Sequence, residues 1–293
     1  MTIERMLQSP HQAARKVHDL FIHGPRPAPV VDGLVEEARQ TASPATTWGP
    51  AMRLDQVRNA HNTNRASEMK GALEGNYNCL EGDVRLAGSI RPFPGYHDRP
   101  VITAHDVTAT DGFTLQEWLR IGLASGRGLK LDIKEGSAVP EIIRQLRHSR
   151  VPAQRLILNG GVDVGGDNPL LRVAKDAVNV VLHDRTTLQD FTAMRAAFPQ
   201  ALIALSPSTS KLDTAQCDKL ARWAKAIGGP VMFVLDAQYT TPETVQHLKA
   251  HGHIALWNDP KRWKPGDVEA TTQRFRDLGV DGVIDLRNEV ELK

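Results

Sequence analysis

The sequence predicts an α/β protein, a (β/α)8 TIM barrel that carries an N-terminal extension. Three observations predict it. Eight short β-branched or apolar runs recur between residues 57 and 286, separated by amphipathic helical stretches, which is the rhythm of parallel βαβ units, and the span suits one such barrel. Ionisable residues interrupt these runs near their C-terminal ends, where barrel chemistry sits. An open doubly wound sheet would carry a Gly-rich phosphate turn after its first strand, and His61-Asn62-Thr63-Asn64 stands there instead.

In chain order, the expected strands cover 57–61, 79–86, 129–134, 156–159, 202–206, 231–236, 254–257 and 283–286. Helices are expected over 67–74, 114–125, 139–149, 188–198, 214–227, 242–251 and 268–278, each with apolar residues at helical spacing. Two runs exceed the eight. Residues 101–105 follow strand 79–86 through a Gly- and Pro-rich stretch with no helix, so they read as a hairpin arm above the barrel mouth. The run 178–183 fits no position in the scheme.

Residues 1–50 have a different texture. A helix near 3–22 runs into Gly24-Pro25-Arg26-Pro27-Ala28-Pro29, then a short polar helix and a small-residue stretch over 41–47. Alternate prolines favour extended chain, and small polar residues bury little. The expected division is therefore a partly ordered extension, 1–50, and a barrel, 51–293, that folds without it.

Lys and Arg number 36 against 34 Asp and Glu, a net charge of +2, too small for a nucleic-acid binder. Cys79 and Cys217 are the only cysteines, so neither a disulfide framework nor a CxxC motif exists, and a reducing compartment is the simpler setting. No stretch approaches the roughly 20 apolar residues of a membrane helix, and the first ten residues lack a signal peptide's apolar core. The expectation is a cytoplasmic protein, with leaderless export and peripheral membrane contact left open.

The polar residues inside apolar runs carry the functional reading. Glu81 and Asp83 lie two apart in Leu80-Glu81-Gly82-Asp83-Val84 and share one strand face. Lys130, Asp132 and Lys134 alternate in the same way with Leu129, Leu131 and Ile133, so the charged set faces the lumen. Three inward carboxylates repel unless a cation or proton joins them. Glu81, Asp83 and Asp132 are hard oxygen donors suited to Mg2+ or Ca2+; alternatively, Lys130 and Lys134 neutralise them as buried ion pairs. His61 and His105 each end an apolar run, and such a pair beside carboxylates can divide proton transfer between them.

In order along the chain, Ala60-His61-Asn62, Glu81-Gly82-Asp83-Val84, Ile102-Thr103-Ala104-His105-Asp106, Leu131-Asp132-Ile133-Lys134 and Gly279-Val280-Asp281-Gly282-Val283-Ile284-Asp285 resemble the glycerophosphodiester phosphodiesterase superfamily. Glu117-Trp118-Leu119, Leu158-Asn159-Gly160, Leu205-Ser206 and Leu256-Trp257 are similar to its menorin-domain branch. The resemblance implies metal-dependent cleavage of a small-molecule or lipid phosphodiester, a glycerophosphodiester or lysophospholipid, by hydrolysis or through a cyclic phosphate. Glu81, Asp83 and Asp132 would hold the ion. Lys130 and Lys134 would stabilise charge, His61 would act as base or nucleophile and His105 as acid, with Asn62, Asn159 and Trp257 lining the pocket. This chain has Asn62 where the superfamily has Arg, Asp132 where it has Glu, and Ile284-Asp285-Leu286 in place of its Thr-Asp ending. A non-catalytic interaction barrel, as in some menorin-domain proteins, and a metal-dependent lyase or aldolase are the competing readings.

Overall fold

The computed structural model describes residues 28–49, 52–87, 100–106, 111–165 and 185–288. The unplaced run 178–183 and the helix expected near 3–22 lie outside them. The barrel strands are β1 (Asn59–Ala60), β2 (Cys79–Leu86), β4 (Gly128–Ile133), β5 (Leu156–Val162), β6 (Leu202–Pro207), β7 (Val231–Asp236), β8 (His253–Trp257) and β9 (Ile284–Asp285), all parallel and paired in that order. Between them run α2 (Ala66–Glu74), α3 (Leu115–Ala124), α4 (Val139–His148), α5 (Leu188–Ala197), α6 (Thr214–Ile227), α7 (Pro242–Lys249) and α8 (Val268–Asp277). The result is a nearly closed (β/α)8 barrel. Its sheet path ends at β1 and β9, and side chains bridge that seam, as described below. The arm β3 (Val101–Thr103) pairs antiparallel with β2, Thr103 opposite Val84, as the sequence leads one to expect.

Side-chain alternation divides the barrel. Leu80, Val84, Leu129, Leu131 and Ile133 join the outer core under the helices. Inside, Cys79, Ile157, Ala204, Met232, Val234, Ala255 and Val283 form a second, smaller core in the lower lumen, with Trp48, Met52 and Leu54 packed against it. Polar residues occupy the upper lumen. Strand β5 continues past the expected end at 159 to Val162, and Gly160 within it is closely packed. A Cβ there would lie 2.6 Å from Thr186 Oγ1 and 3.0 Å from the Phe191 ring.

Helix α3 fixes the loop that follows β1. Thr114 and Glu117 form a capping box at its start, two orphan N–H groups satisfied at once. Fully buried Trp118 donates its indole N–H to Thr63, 3.0 Å from the carbonyl oxygen and 2.9 Å from Oγ1. Thr63 in turn donates from N (2.8 Å) and Oγ1 (2.9 Å) to the Glu81 carbonyl. The segment bearing His61, Asn62 and Asn64 is thus stapled to β2.

The described residues before the division expected at 50 pack on the barrel. Helix α1 (Ala28–Gln40) buries Val31, Leu34, Val35 and Ala38 in the main core and lies against α2 and α3. That i, i+3, i+4, i+7 stripe is hard to see beside Pro25, Pro27 and Pro29. Trp48 donates its indole N–H to the Gln154 carbonyl at 2.9 Å. Its ring lies over Gly128, where a Cβ would come within 2.2 Å. Each buried aliphatic side chain contributes roughly 1.5–3 kcal/mol at most. A chain beginning at residue 51 should therefore lose at least about 3 kcal/mol relative to one beginning at Ala28, about 6–12 °C in Tm. Equal melting temperatures by calorimetry would support the division at 50.

Among the described residues no helix is long and apolar enough to cross a membrane.

Candidate active site

The C-terminal ends of the strands open into a cavity of about 570 Å3 that contains every residue singled out from the sequence: His61, Asn62, Glu81, Asp83, His105, Lys130, Asp132, Lys134, Asn159 and Trp257. Strand alternation brings them there, since Glu81 and Asp83 on β2 pair in register with Lys130 and Asp132 on β4.

His61 sits at the seam. Its Nδ1 lies 2.9 Å from Glu81 Oε2 and its Nε2 contacts Asp285 Oδ2. Asn59 donates from Nδ2 to the same Glu81 oxygen and, at 3.5 Å, to Asp285. Burial alone would lower the imidazole pKa, but Asp285 and Glu81 outweigh it and raise it to about 10. The resting group is an imidazolium donating from both nitrogens. With a carboxylate against each ring nitrogen, His61 ties Glu81 to Asp285 across the seam.

A second network runs round the lumen. Asn64 donates to Asp83 Oδ2 at 2.8 Å and accepts from the Asp83 N–H at 2.9 Å. Lys134 Nζ lies 2.7 Å from Asp83 Oδ1 and also bonds Asp132. Asp132 Oδ1 accepts from Asn159 Nδ2 at 2.7 Å, and Asn159 Oδ1 accepts from Ser206 Oγ at 2.9 Å. Lys130 Nζ lies 3.1 Å from Glu81 Oε1. Burial opposes ionisation of both lysines, yet Glu81 and Asp132 hold Lys130 above its ordinary value, and Asp132 and Asp83 do so for Lys134.

These ion pairs bear on how well the three carboxylates would fit a metal ion. Glu81, Asp83 and Asp132 share the lumen, but an ammonium group already sits on each. Among the described residues no group of three or more His, Cys, Asp or Glu is arranged to hold an ion. The donor chemistry suits Mg2+ or Ca2+, but the geometry does not fit a three-carboxylate site. The cause is the strand period itself: what turns Asp132 inward turns Lys130 and Lys134 inward too.

His105 is at the mouth, with its side chain more than half exposed and Nδ1 2.9 Å from Asp106 Oδ1. Asn62, also at the mouth, has a left-handed backbone, φ 54°, which asparagine tolerates better than most residues. Asn159 lines the cavity and bridges Asp132 to Ser206. Trp257 is half-buried above the lower lumen core. The sequence reading missed Asn59, Asn64, Ser206, Arg185, Arg287, Asp236 and Asp285. Asp285 was within reach, as a carboxylate inside the apolar run 283–286 under the same rule that marks Glu81.

The menorin N-terminal domain family matches residues 54–250, two thirds of the chain. The chain belongs to the menorin family. The matched part of this menorin domain carries β1 to β7 and both lysines, whereas Trp257 on β8 and Asp285 on β9 lie beyond it. Among solved structures, the domain is similar to a glycerophosphoryl diester phosphodiesterase from Parabacteroides distasonis, at 13% identity over 87% of each chain and a TM-score of 0.47. It is also similar to phosphoenolpyruvate phosphomutase from Streptomyces platensis subsp. rosaceus, at 11% identity over 86% of this chain and 79% of that one, TM-score 0.41.

Proposed function

We propose that this menorin domain is a phosphodiesterase acting on a glycerophosphodiester or (lyso)phospholipid-type substrate. The observation that carries the reading is the convergence of two lysines and a cationic histidine on the floor of one cavity, with a second histidine at its mouth. An ammonium group has three donors. Lys134 spends two on Asp83 and Asp132, and Lys130 one on Glu81, so each retains a donor for a phosphate oxygen. Among the described residues five carboxylates line the cavity (Glu81, Asp83, Asp132, Asp236, Asp285), and Lys130, Lys134, Arg185, Arg287 and the His61 imidazolium balance them. A phosphodiester monoanion therefore meets no net repulsion, and the lysine donors are preorganised for the charge that develops on the phosphoryl oxygens.

In the reaction a new P–O bond forms from water or from a neighbouring substrate hydroxyl, the latter giving a cyclic phosphate. The bond to the departing alkoxide breaks, and His105 supplies the proton that the alkoxide takes up. The attacking oxygen releases its proton to water at the open mouth. His61 acts as a positioning residue that keeps Glu81, and through it Lys130, in place.

Turnover of bis(p-nitrophenyl) phosphate and of a glycerophosphodiester panel tests the proposal, and no release from any diester would refute it. His105→Ala should cost about 10²–10⁴-fold on alkoxide leaving groups and far less on nitrophenolate, which leaves without a proton. Equal losses on both would remove His105 as the acid.

A further inference from the structure

Beside the main cavity lies a smaller one of about 290 Å3, and Asn62, His105 and Arg287 line both. The two differ in chemistry. The main cavity has apolar wall from Met232, Val234, Leu256 and Trp257. Among the described residues lining the annex only Ala104 and Pro260 are apolar, and four carboxylates, Glu68, Asp106, Asp111 and Asp259, stand against Arg65, Lys261 and Arg287. Much of this charge is held in place. Arg65 Nε lies 2.7 Å from Asp111 Oδ2, and Asp259 accepts from the Lys261 N–H at 3.0 Å and from Arg262 Nε at 3.0 Å. Glu68 caps α2 by accepting from the Asn64 and Arg65 N–H groups.

A phosphodiester has two arms, and this mouth has two compartments that meet at His105. Resting on the phosphodiesterase reading, we infer that the annex holds the departing alcohol arm and selects a compact hydroxyl- or ammonium-bearing alcohol over an alkyl one. An alkyl arm there would strip water from fixed ionic groups and return no hydrogen bonds, which is costly. A site built for polar contacts rejects analogues that lack them far more strongly than an apolar pocket rejects extra polarity. The larger, partly apolar cavity takes the arm that stays on phosphorus. In the step itself, the bond between phosphorus and the annex-side oxygen breaks, and that oxygen takes the His105 proton.

Three diesters sharing one n-hexyl arm test this on the full chain, with glycerol, choline or a second n-hexyl as the other arm. The glycerol and choline esters should be cleaved with kcat/KM at least about tenfold above dihexyl phosphate, releasing the polar alcohol and leaving hexyl phosphate. Lys261→Leu and Asp111→Leu should each narrow that ratio severalfold. Equal turnover of all three, release of hexanol from the mixed esters, or a ratio unmoved by either substitution would overturn the annex and leave the phosphodiesterase reading standing. Cleavage of no diester at all would overturn the proposed function. Calorimetric affinities of the same three compounds would then still decide the annex, which requires the polar-armed pair to bind at least tenfold tighter.

Discussion

Replacing Lys134 by methionine should cost about 3–5 kcal/mol of stability, the range for stripping one partner from a buried ion pair. Asp83 is almost fully buried and Asp132 mostly so, and the ammonium of Lys134 lies between them. Burial pushes the Asp132 carboxyl up, but Lys134 overrides this and holds it below its ordinary value. Without the ammonium, Asp132 should take up a proton at higher pH, and the variant should be less destabilised in acid than at neutrality. The same variant opens the gap that a hard cation could fill with Asp83 and Asp132. Millimolar Mg2+ or Ca2+ should leave the wild-type Tm unchanged and raise that of Lys134→Met by several degrees. Tight wild-type binding of either ion, abolished in Asp83→Ala, would instead establish the three-carboxylate site the sequence suggests. A loss below about 1 kcal/mol would show that the bridge contributes no more than an exposed pair.

The barrel was legible because its signal is periodic and repeated. Alternation in 79–86 and 129–134 assigns a face to every residue, and the spacing of runs gives the order of strands. The same alternation placed Glu81, Asp83, Lys130, Asp132 and Lys134 in the lumen. It could not say which charge lies against which, because a strand period fixes direction and not distance. Two cations could answer the carboxylates, a metal ion or the lysines, and the sequence favoured the metal because the polar set lies where barrel chemistry happens. Asn59 and Asn64 left no signal at all: a neutral amide beside a histidine is unremarkable until its partners are seen. Helix α1 was expected, but only as a short polar helix. Its apolar stripe at 31, 34, 35 and 38 is regular, but the prolines before it suggest extended chain.

Substituting His61 by glutamine should lower stability by about 3–5 kcal/mol near neutral pH and change how stability depends on pH. The imidazole faces Asp285 and Glu81, behind which stand Arg287, 3.7 Å from Asp285, and Lys130. Its folded pKa of about 10 lies above the ordinary 6.5. Between those values the native state holds a proton that the unfolded chain has lost, so stability falls as pH rises. The His61 contribution is fully present below about pH 6.5, declines through the window and is gone above about 10. Glu81 and Asp285 run the other way. Burial disfavours their charged forms, but His61 more than offsets this and holds both below their ordinary values, so their contribution is lost as acid protonates them. Wild-type Tm should hence decline steadily from pH 7 to pH 10. The glutamine variant, lacking the His61 titration, should show a flatter profile from a lower start. Activity should fall about 10²–10³-fold at pH 7, as for removal of one preorganised electrostatic group. Wild-type kcat/KM should show no limb near pH 6.5 from His61. Parallel melting profiles for the two proteins, or an imidazole titrating near 6.5 by NMR, would mean that His61 rests neutral; the seam would then be held by neutral hydrogen bonds and the base role would stand.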